Sequence, residues 1–386
     1  MYPTISHLLF DLFGINIPLP IQTFGFWVAI AFLSASYIIS IELKRKEEEG
    51  HLTPTNITKI IGKKLSVYEL SITLITGFLL GFKIIEAFFH YSDLVANPQN
   101  FILSTRGNLI GGILIAGLSL YLKWNENQKS RLATPKEIQK TIHPFELVGN
   151  MTMIAAVSGI IGAKIFHNLE NMGAFLADPI GQLMAFSGLT FYGGLIAGAI
   201  SVIWYTKKYG VNTRHLIDSA APALMLAYGV GRIGCQMSGD GDWGISNLDP
   251  KPEWMSFLPD WMWSFTFPHN VINAGIPMPD CGAEFWEPYC YQLANPVWPT
   301  AFYETVLSLL IFGILWSIRK QIKVPGVLFF IYLVFNGIER FLIEKVRINT
   351  EYHILGGITQ AEIISSCLIM IGITGVSYLY KYGNTN

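Results

Sequence analysis

Between Ile21 and Leu43 the chain carries one charge, Glu42. Similar stretches return at about Val67–His90, Asn108–Trp124, Pro144–Leu169, Leu189–Thr206, His215–Met237, Pro299–Ile318, Pro325–Ile343 and Gly357–Tyr380. About 20 apolar helical residues cross the hydrocarbon of a bilayer. Backbone buried in lipid must satisfy its own hydrogen bonds, and long helices do this. Charged residues make up 14% of the 386 positions, where a soluble domain has about 25%. The expectation is an all-α polytopic membrane protein of about nine transmembrane helices, forming a single transmembrane domain over residues 1–386.

The positive charges orient these spans. With the N-terminus outside, eighteen Lys and Arg fall in cytoplasmic segments, among them Lys44-Arg45-Lys46 and Lys207-Lys208. Four, Arg106, Lys251, Lys345 and Arg347, fall outside. This bias predicts the N-terminus out and the C-terminus in. The net charge of −1 gives no basic tail for nucleic acid, and Met1–Pro20 has no basic region of the kind that opens a cleaved signal. Residues 238–298, rich in Pro and Trp, then form an extracytoplasmic insert. Its Trp254, Trp261, Trp263, Trp286 and Trp298 are suited to the membrane interface. Its Cys281 and Cys290 either pair in an oxidising compartment or stay as free thiols. No CxxC or Cys/His cluster predicts a metal site.

An internal repeat joins residues 70–143 to 150–220. Gly77-Phe-Leu-Leu-Gly-Phe-Lys83-Ile is echoed by Gly159-Ile-Ile-Gly-Ala-Lys164-Ile, and Gly111-Gly-Ile-Leu-Ile-Ala-Gly117 by Gly193-Gly-Leu-Ile-Ala-Gly198. Each copy holds two spans, so both point the same way across the membrane. Their small residues let helices approach closely.

The densest chemistry lies in Gly229-Val-Gly-Arg-Ile-Gly-Cys-Gln-Met-Ser-Gly-Asp-Gly-Asp-Trp-Gly244. Its glycine spacing imitates a dinucleotide fingerprint, but no βαβ unit surrounds it. Asp240-Gly-Asp242 lacks the rest of a calcium loop and reads as a solvated turn or a structural hydrogen-bonding pair. Cys235, three residues after Arg232, is either a nucleophile or, as is commoner, a buried inert thiol. Arg232 is the informative residue, because a cation inside an apolar span needs a partner or a function. Arg340 falls at similar depth on another span, and Glu344 and Arg347 share its helical face. A guanidinium fork suits phosphate, so the pair predicts a lipid phosphate site at the outer leaflet. The structural alternative is an Arg340–Glu344 ion pair with Arg232 snorkelling. Tyr303-Glu304, Tyr192, His167 and Lys164 fall near the same depth. His167 is either a base near neutral pH or a satisfied interfacial histidine. Lys164 either binds an anion or pairs with a carboxylate.

At these residues the chain resembles the phosphatidylglycerol–prolipoprotein diacylglyceryl transferase family. The matching pieces are Ile21-Gln-Thr-Phe-Gly25, Gly162-Ala-Lys-Ile, Phe191-Tyr-Gly-Gly-Leu-Ile196, Asp218 through Pro222 and Gly231-Arg-Ile-Gly234. Pro299-Thr-Ala-Phe-Tyr-Glu304, Gly337-Ile-Glu-Arg-Phe-Leu-Ile-Glu344 and Thr359-Gln360 follow in order. The resemblance implies transfer of a diacylglyceryl group from phosphatidylglycerol to the lipobox cysteine thiol of a preprolipoprotein. A thioether forms and glycerol phosphate leaves, with no metal or cofactor.

It also implies a multi-pass protein of the bacterial inner membrane, bound by the lipid bilayer and by the substrate signal peptide, with its active site toward the outer leaflet. Arg232 matches the arginine that binds the phospholipid, and Arg340 a second essential arginine. The candidate catalytic residues are Arg232, Arg340, Tyr192 and Glu344. The candidate substrate-binding residues are Arg232, Gly234, Asp240, Tyr303 and Glu304. The chain departs from the family at Cys235, usually asparagine; at Ser238-Gly239-Asp240, usually Asn-Gly-Glu; at Tyr192, often histidine; and at Phe24, usually an aromatic hydroxyl. Seven spans are usual in the family, and the repeat 70–143 is expected to add a helix pair. A membrane lipid or anion transporter is the alternative of a different class, and would place its charges nearer the midplane.

Overall fold

Apolar runs closed by charges fold here as helices. The structure, a computed structural model, describes residues 1–185, 188, 190–279, 281, 284–348, 351–352 and 358–383. Helix α1 (Ile5–Phe13) precedes α2 (Thr23–Glu48), which ends in its charged run. Strand β1 (Thr55–Ile61) leads to α3 (Val67–Phe89), two six-residue helices α4 (Tyr91–Ala96) and α5 (Pro98–Leu103), then α6 (Leu109–Ser130) and β2 (Lys136–Ile142). The order recurs as α7 (Val148–Glu170), α8 (Met172–Ala177), α9 (Pro179–Met184) and α10 (Phe191–Lys207). Then come α11 (Thr213–Ser238), the insert with β3 (Ile276–Pro277) and β4 (Tyr291–Gln292), α12 (Thr300–Ile318), α13 (Val327–Glu344), β5 (Glu351–Tyr352), β6 (Ile358–Thr359) and α14 (Gln360–Tyr382).

Among the described residues a long helix falls within each expected span; Leu189 and Gly357, the expected starts of two of them, lie outside the described residues. Among the described residues, five of these stretches are long and apolar enough to cross a membrane by length and composition: Thr23–Glu48, Val67–Phe89, Pro144–Glu170, Thr300–Ile318 and Gln360–Tyr382. Of the others, α10 is 17 residues long, while α11 and α13 carry charges within the helix. The chain is thus mostly helical, with three small two-stranded sheets among the described residues that hydropathy did not foreshadow.

The chain divides into two compact units. The first comprises Met1–Thr53, Pro144–Thr152 and Thr206–Asn386. In it α11 packs on α2 and α12, and α13 on α14. Gly234 permits the first of these contacts, since a Cβ there would fall 2.9 Å from Trp27 Cβ. The start of α13 is completed from α11. Gly326 is its N-cap, at φ +96, and offers no side-chain acceptor. Asp218 replaces one, accepting from Gly326 N–H at 2.7 Å and Phe329 N–H at 3.0 Å. The lone charge of the first apolar run, Glu42, is fully buried and pairs with Arg45 and, at 3.2 Å, with Arg319, which caps the C-terminus of α12.

The insert folds back on itself. Trp243, Phe267 and Val297 form a small core, and Cys281 and Cys290 are joined by a disulfide. Most of its tryptophans are spent on internal contacts. Trp263 stacks edge-on with Trp298 at 4.5 Å, Trp261 meets Phe302 at 5.0 Å, and Trp286 lies between His7 and His269. Trp254 remains exposed.

The second unit comprises Pro54–His143 and Met153–Tyr205. Strands β1 and β2 pair antiparallel, Thr55 opposite Ile142, and so close the segment that holds α3 to α6. Its two helix pairs share local geometry at positions 81 apart. Lys83 donates to the Ser104 carbonyl at 2.6 Å, and Lys164 to the Ala185 carbonyl at 2.8 Å. Asn97 caps α5 through Asn100 N–H, and Asp178 caps α9 through Gly181 N–H. Glycine brings each pair together: a Cβ on Gly81 would lie 2.4 Å from the Gly111 carbonyl, and one on Gly162 2.5 Å from that of Gly193.

Candidate active site

The site gathers on Glu304, in the first turns of α12. This carboxylate is fully buried. Tyr228 of α11 donates its hydroxyl to Oε1 at 2.9 Å. One turn on, Arg232 stacks its guanidinium over the Tyr228 ring, 5.1 Å from the centroid. Its Nε lies 3.1 Å from Glu304 Oε2. From α13, Arg340 Nη1 reaches Glu304 Oε1 at 3.2 Å and its Nη2 reaches Glu344 at 2.9 Å. Arg347, just beyond α13, brings Nη1 to 3.4 Å from the same Oε1. A lone buried carboxylate is costly; three guanidinium groups offset that cost here.

Asp242 closes the cluster by pairing with both Arg232 and Arg347. The backbone explains its placement. Gly244 pairs antiparallel with Arg347, and Ile245 N–H donates to the Val346 carbonyl at 2.9 Å. A Cβ on Gly244 would lie 2.4 Å from that same carbonyl, so only glycine allows the two strands to touch. Thr300 fixes the turn further by donating to the Asp242 carbonyl at 2.9 Å. Three arginines therefore face three carboxylates, Asp242, Glu304 and Glu344. Burial pushes the Asp242 carboxyl up, but Arg232 and Arg347 outweigh it and hold it below its ordinary range. Burial first, then the nearby Asp242 charge, pushes Asp240 up.

The structure brings Arg232, Arg340, Glu304 and Glu344 into one network. Asp240 sits at its edge, accepting from Asp242 N–H at 3.3 Å. Gly234 acts at the α11–α2 contact, and Tyr303 turns to the insert, donating to the Met262 carbonyl at 2.7 Å. Tyr192 opens α10 in the second unit, with its ring edge-on to Phe191. In the same unit the His167 ring fills the space beside Gly188, with Nδ1 3.3 Å from Asn171 Nδ2. Lys164 donates to the Ala185 carbonyl at 2.8 Å.

Sequence reasoning missed Tyr228 and gave Asp242 and Arg347 no place in the site. Asp242 reads from sequence as part of a solvated turn or a structural hydrogen-bonding pair, and nothing local shows that two arginines hold it. Arg347 was visible on the Arg340 face, but its reach to Asp242 depends on the Gly244 pairing. Tyr228 lies four residues before Arg232, a spacing that could have found it. Ligand atoms of Cys235, Asp240 and Asp242 lie within 4.8 Å of one another. A cation there would sit against Arg232 and Arg347, so the donor set does not suit one.

Fold and site together define a multi-pass helical membrane protein whose buried arginines are held on carboxylates at the ends of apolar helices. A family model described as prolipoprotein diacylglyceryl transferase matches residues 128–378, and the chain belongs to that family. Among its curated relatives is the phosphatidylglycerol–prolipoprotein diacylglyceryl transferase of Dehalococcoides mccartyi, 25% identical over 61% of this chain and 78% of the relative. The enzyme of the same name from Vibrio vulnificus is 28% identical over 69% and 84%. That of Corynebacterium glutamicum is 28% identical over 62% and 71%. The transporter alternative is not favoured by these relatives.

Proposed function

We infer that this protein transfers the diacylglyceryl group of phosphatidylglycerol to a prolipoprotein, at the lipobox cysteine. The observation that carries this reading is the Glu304-centred arginine cluster, in a chain of this family. The lipid phosphate displaces carboxylates from Arg232 and Arg340, whose forks then neutralise it and make it a better leaving group. The peptide sulfur attacks the diacylglyceryl carbon that bears the phosphate oxygen. A C–S bond forms and the C–O bond breaks, and the electron pair leaves with glycerol phosphate. The thiolate is the nucleophile, so the thiol proton passes to a base. Glu344, already beside Arg340, is one candidate; His167 and Tyr192 are candidates on the sequence alone, and Tyr192, a phenol at neutral pH, has hydrogen bonding to the lipid as its other role.

We read the chain as nine spans in the bacterial inner membrane, with the N-terminus out, the C-terminus in and the arginines toward the outer leaflet. The charge bias supports this orientation. Residues 70–143 and 150–220 are read as copies of one two-helix unit, supported by their matched lysines and caps. The insert 238–298 is read as the extracytoplasmic guide for the signal peptide. The test is release of glycerol phosphate from phosphatidylglycerol in the presence of lipobox peptide. Release is expected with the cysteine peptide and not with its Cys→Ser version; release independent of the thiol would contradict the mechanism.

A further inference from the structure

One carboxyl beside this cluster is not used by it. Glu339 of α13 is 2% exposed, and neither of its oxygens has a hydrogen-bond partner among the described residues. Its carboxyl is within electrostatic reach of Glu304, Arg232, Arg340 and Arg347. It also reaches the hydroxyls of Tyr228 and Tyr332 electrostatically. The contrast with its neighbours is sharp: Asp242, Glu304 and Glu344 each touch at least one guanidinium. Buried polar groups without partners are rare in folded proteins, and each calls for an explanation. Two open acceptor oxygens beside a phosphate-binding set of arginines call for a ligand that brings donors.

We propose that Glu339 is a specificity-determining residue that accepts hydrogen bonds from the hydroxyls of the glycerol head group. The proposal rests on phosphatidylglycerol being the lipid substrate. The head group carries two hydroxyls on adjacent carbons, joined through its third carbon to the phosphate. A phosphate seated on Arg232 and Arg340 brings those hydroxyls to the neighbouring helix face, where Glu339 has two acceptor oxygens. A head group with an ammonium in place of the diol would offer a different donor pattern beside three fixed cations. One without hydroxyls would leave the carboxyl buried and unpaired. A site built on a substrate hydroxyl rejects the analogue that lacks it for this reason.

The experiment uses the full chain in liposomes with a lipobox peptide and two lipids of identical acyl chains, phosphatidylglycerol and phosphatidylpropanol. The ratio of the two kcat/KM values is taken on the same preparation, so the folded fraction cancels. The unsubstituted protein is expected to prefer phosphatidylglycerol by roughly tenfold or more. Glu339→Leu should bring the ratio close to one, chiefly by slowing phosphatidylglycerol. Glu339→Gln, which keeps the shape and one acceptor, should fall between and covers the case in which the leucine variant does not fold. A preference retained in both variants would overturn the proposal. Equal slowing on both lipids would also overturn it, assigning Glu339 to proton transfer or packing. No adduct from either lipid with the unsubstituted protein would instead sink the transferase reading itself.

Discussion

Glu304 is where three guanidinium groups meet, and its substitution tests whether the cluster is structural as well as functional. Glu304→Ala leaves Arg232, Arg340 and Arg347 short of counter-charge in a buried site. Breaking such an arrangement from one side costs about 3–5 kcal/mol, so a clear drop in thermal midpoint in detergent is expected. An unchanged midpoint would mean that the arginines find other partners. Arg232→Lys keeps the charge but not the fork, and a point charge does not replace the planar donor set that the phosphate takes over from the carboxylates. We expect turnover roughly a hundredfold lower, the scale seen when one preorganised donor is lost; equal turnover would remove the fork from the mechanism. At this scale, charges inside apolar runs were legible, because lipid makes an idle arginine expensive. Asp242 was not legible, since its role depends on a backbone pairing between Gly244 and Arg347 that lie far apart in the chain.

Helices were legible as elements, because a long apolar run in lipid has few other ways to satisfy its backbone. Their ends fall close to the expected positions: the apolar pattern predicts Pro299–Ile318 for α12, which is Thr300–Ile318, and His215–Met237 for α11, which is Thr213–Ser238. Strands β1 and β2 were not legible, because Thr55–Ile61 and Lys136–Ile142 are polar and seven residues each, and pairing across a helix pair leaves no periodic mark. The cap on α13 was visible only as part of a motif around Asp218. Asp218→Ala removes the acceptor for Gly326 and Phe329 N–H, and loss of a helix cap costs about 1–2 kcal/mol. Slower amide exchange loss at the start of α13 is not expected; faster exchange at residues 326–329 is, and unchanged protection there would show that the cap is dispensable. In the second unit Gly81→Leu places a side chain against the Gly111 carbonyl and the Ile115 side chain. It should separate α3 from α6 and raise protease sensitivity within 54–143, while unaltered digestion would show that the helices can spread without loss.

The whole molecule combines a first unit that holds the arginine cluster with a second that holds the paired helix hairpins. The ends of segment 54–143 meet across the β1–β2 ladder, Thr55 opposite Ile142. Excising the segment with a short Gly-Ser join should therefore leave the first unit folded. It removes two spans, so every later loop keeps its side of the membrane in the proposed topology. Cysteine labelling of an introduced Lys251→Cys from the outside should be unchanged by the excision, and a reversal of labelling would contradict the nine-span count. The central claim is narrower: this chain joins a diacylglyceryl group to a thiol, using Arg232 and Arg340 on the lipid phosphate. Purified protein mixed with phosphatidylglycerol and a lipobox peptide, read by intact mass, tests it most directly. The account predicts a peptide heavier by one diacylglyceryl group, formed at the cysteine and strongly reduced by Arg232→Lys. No adduct, under conditions where another member of the family produces one, would contradict it.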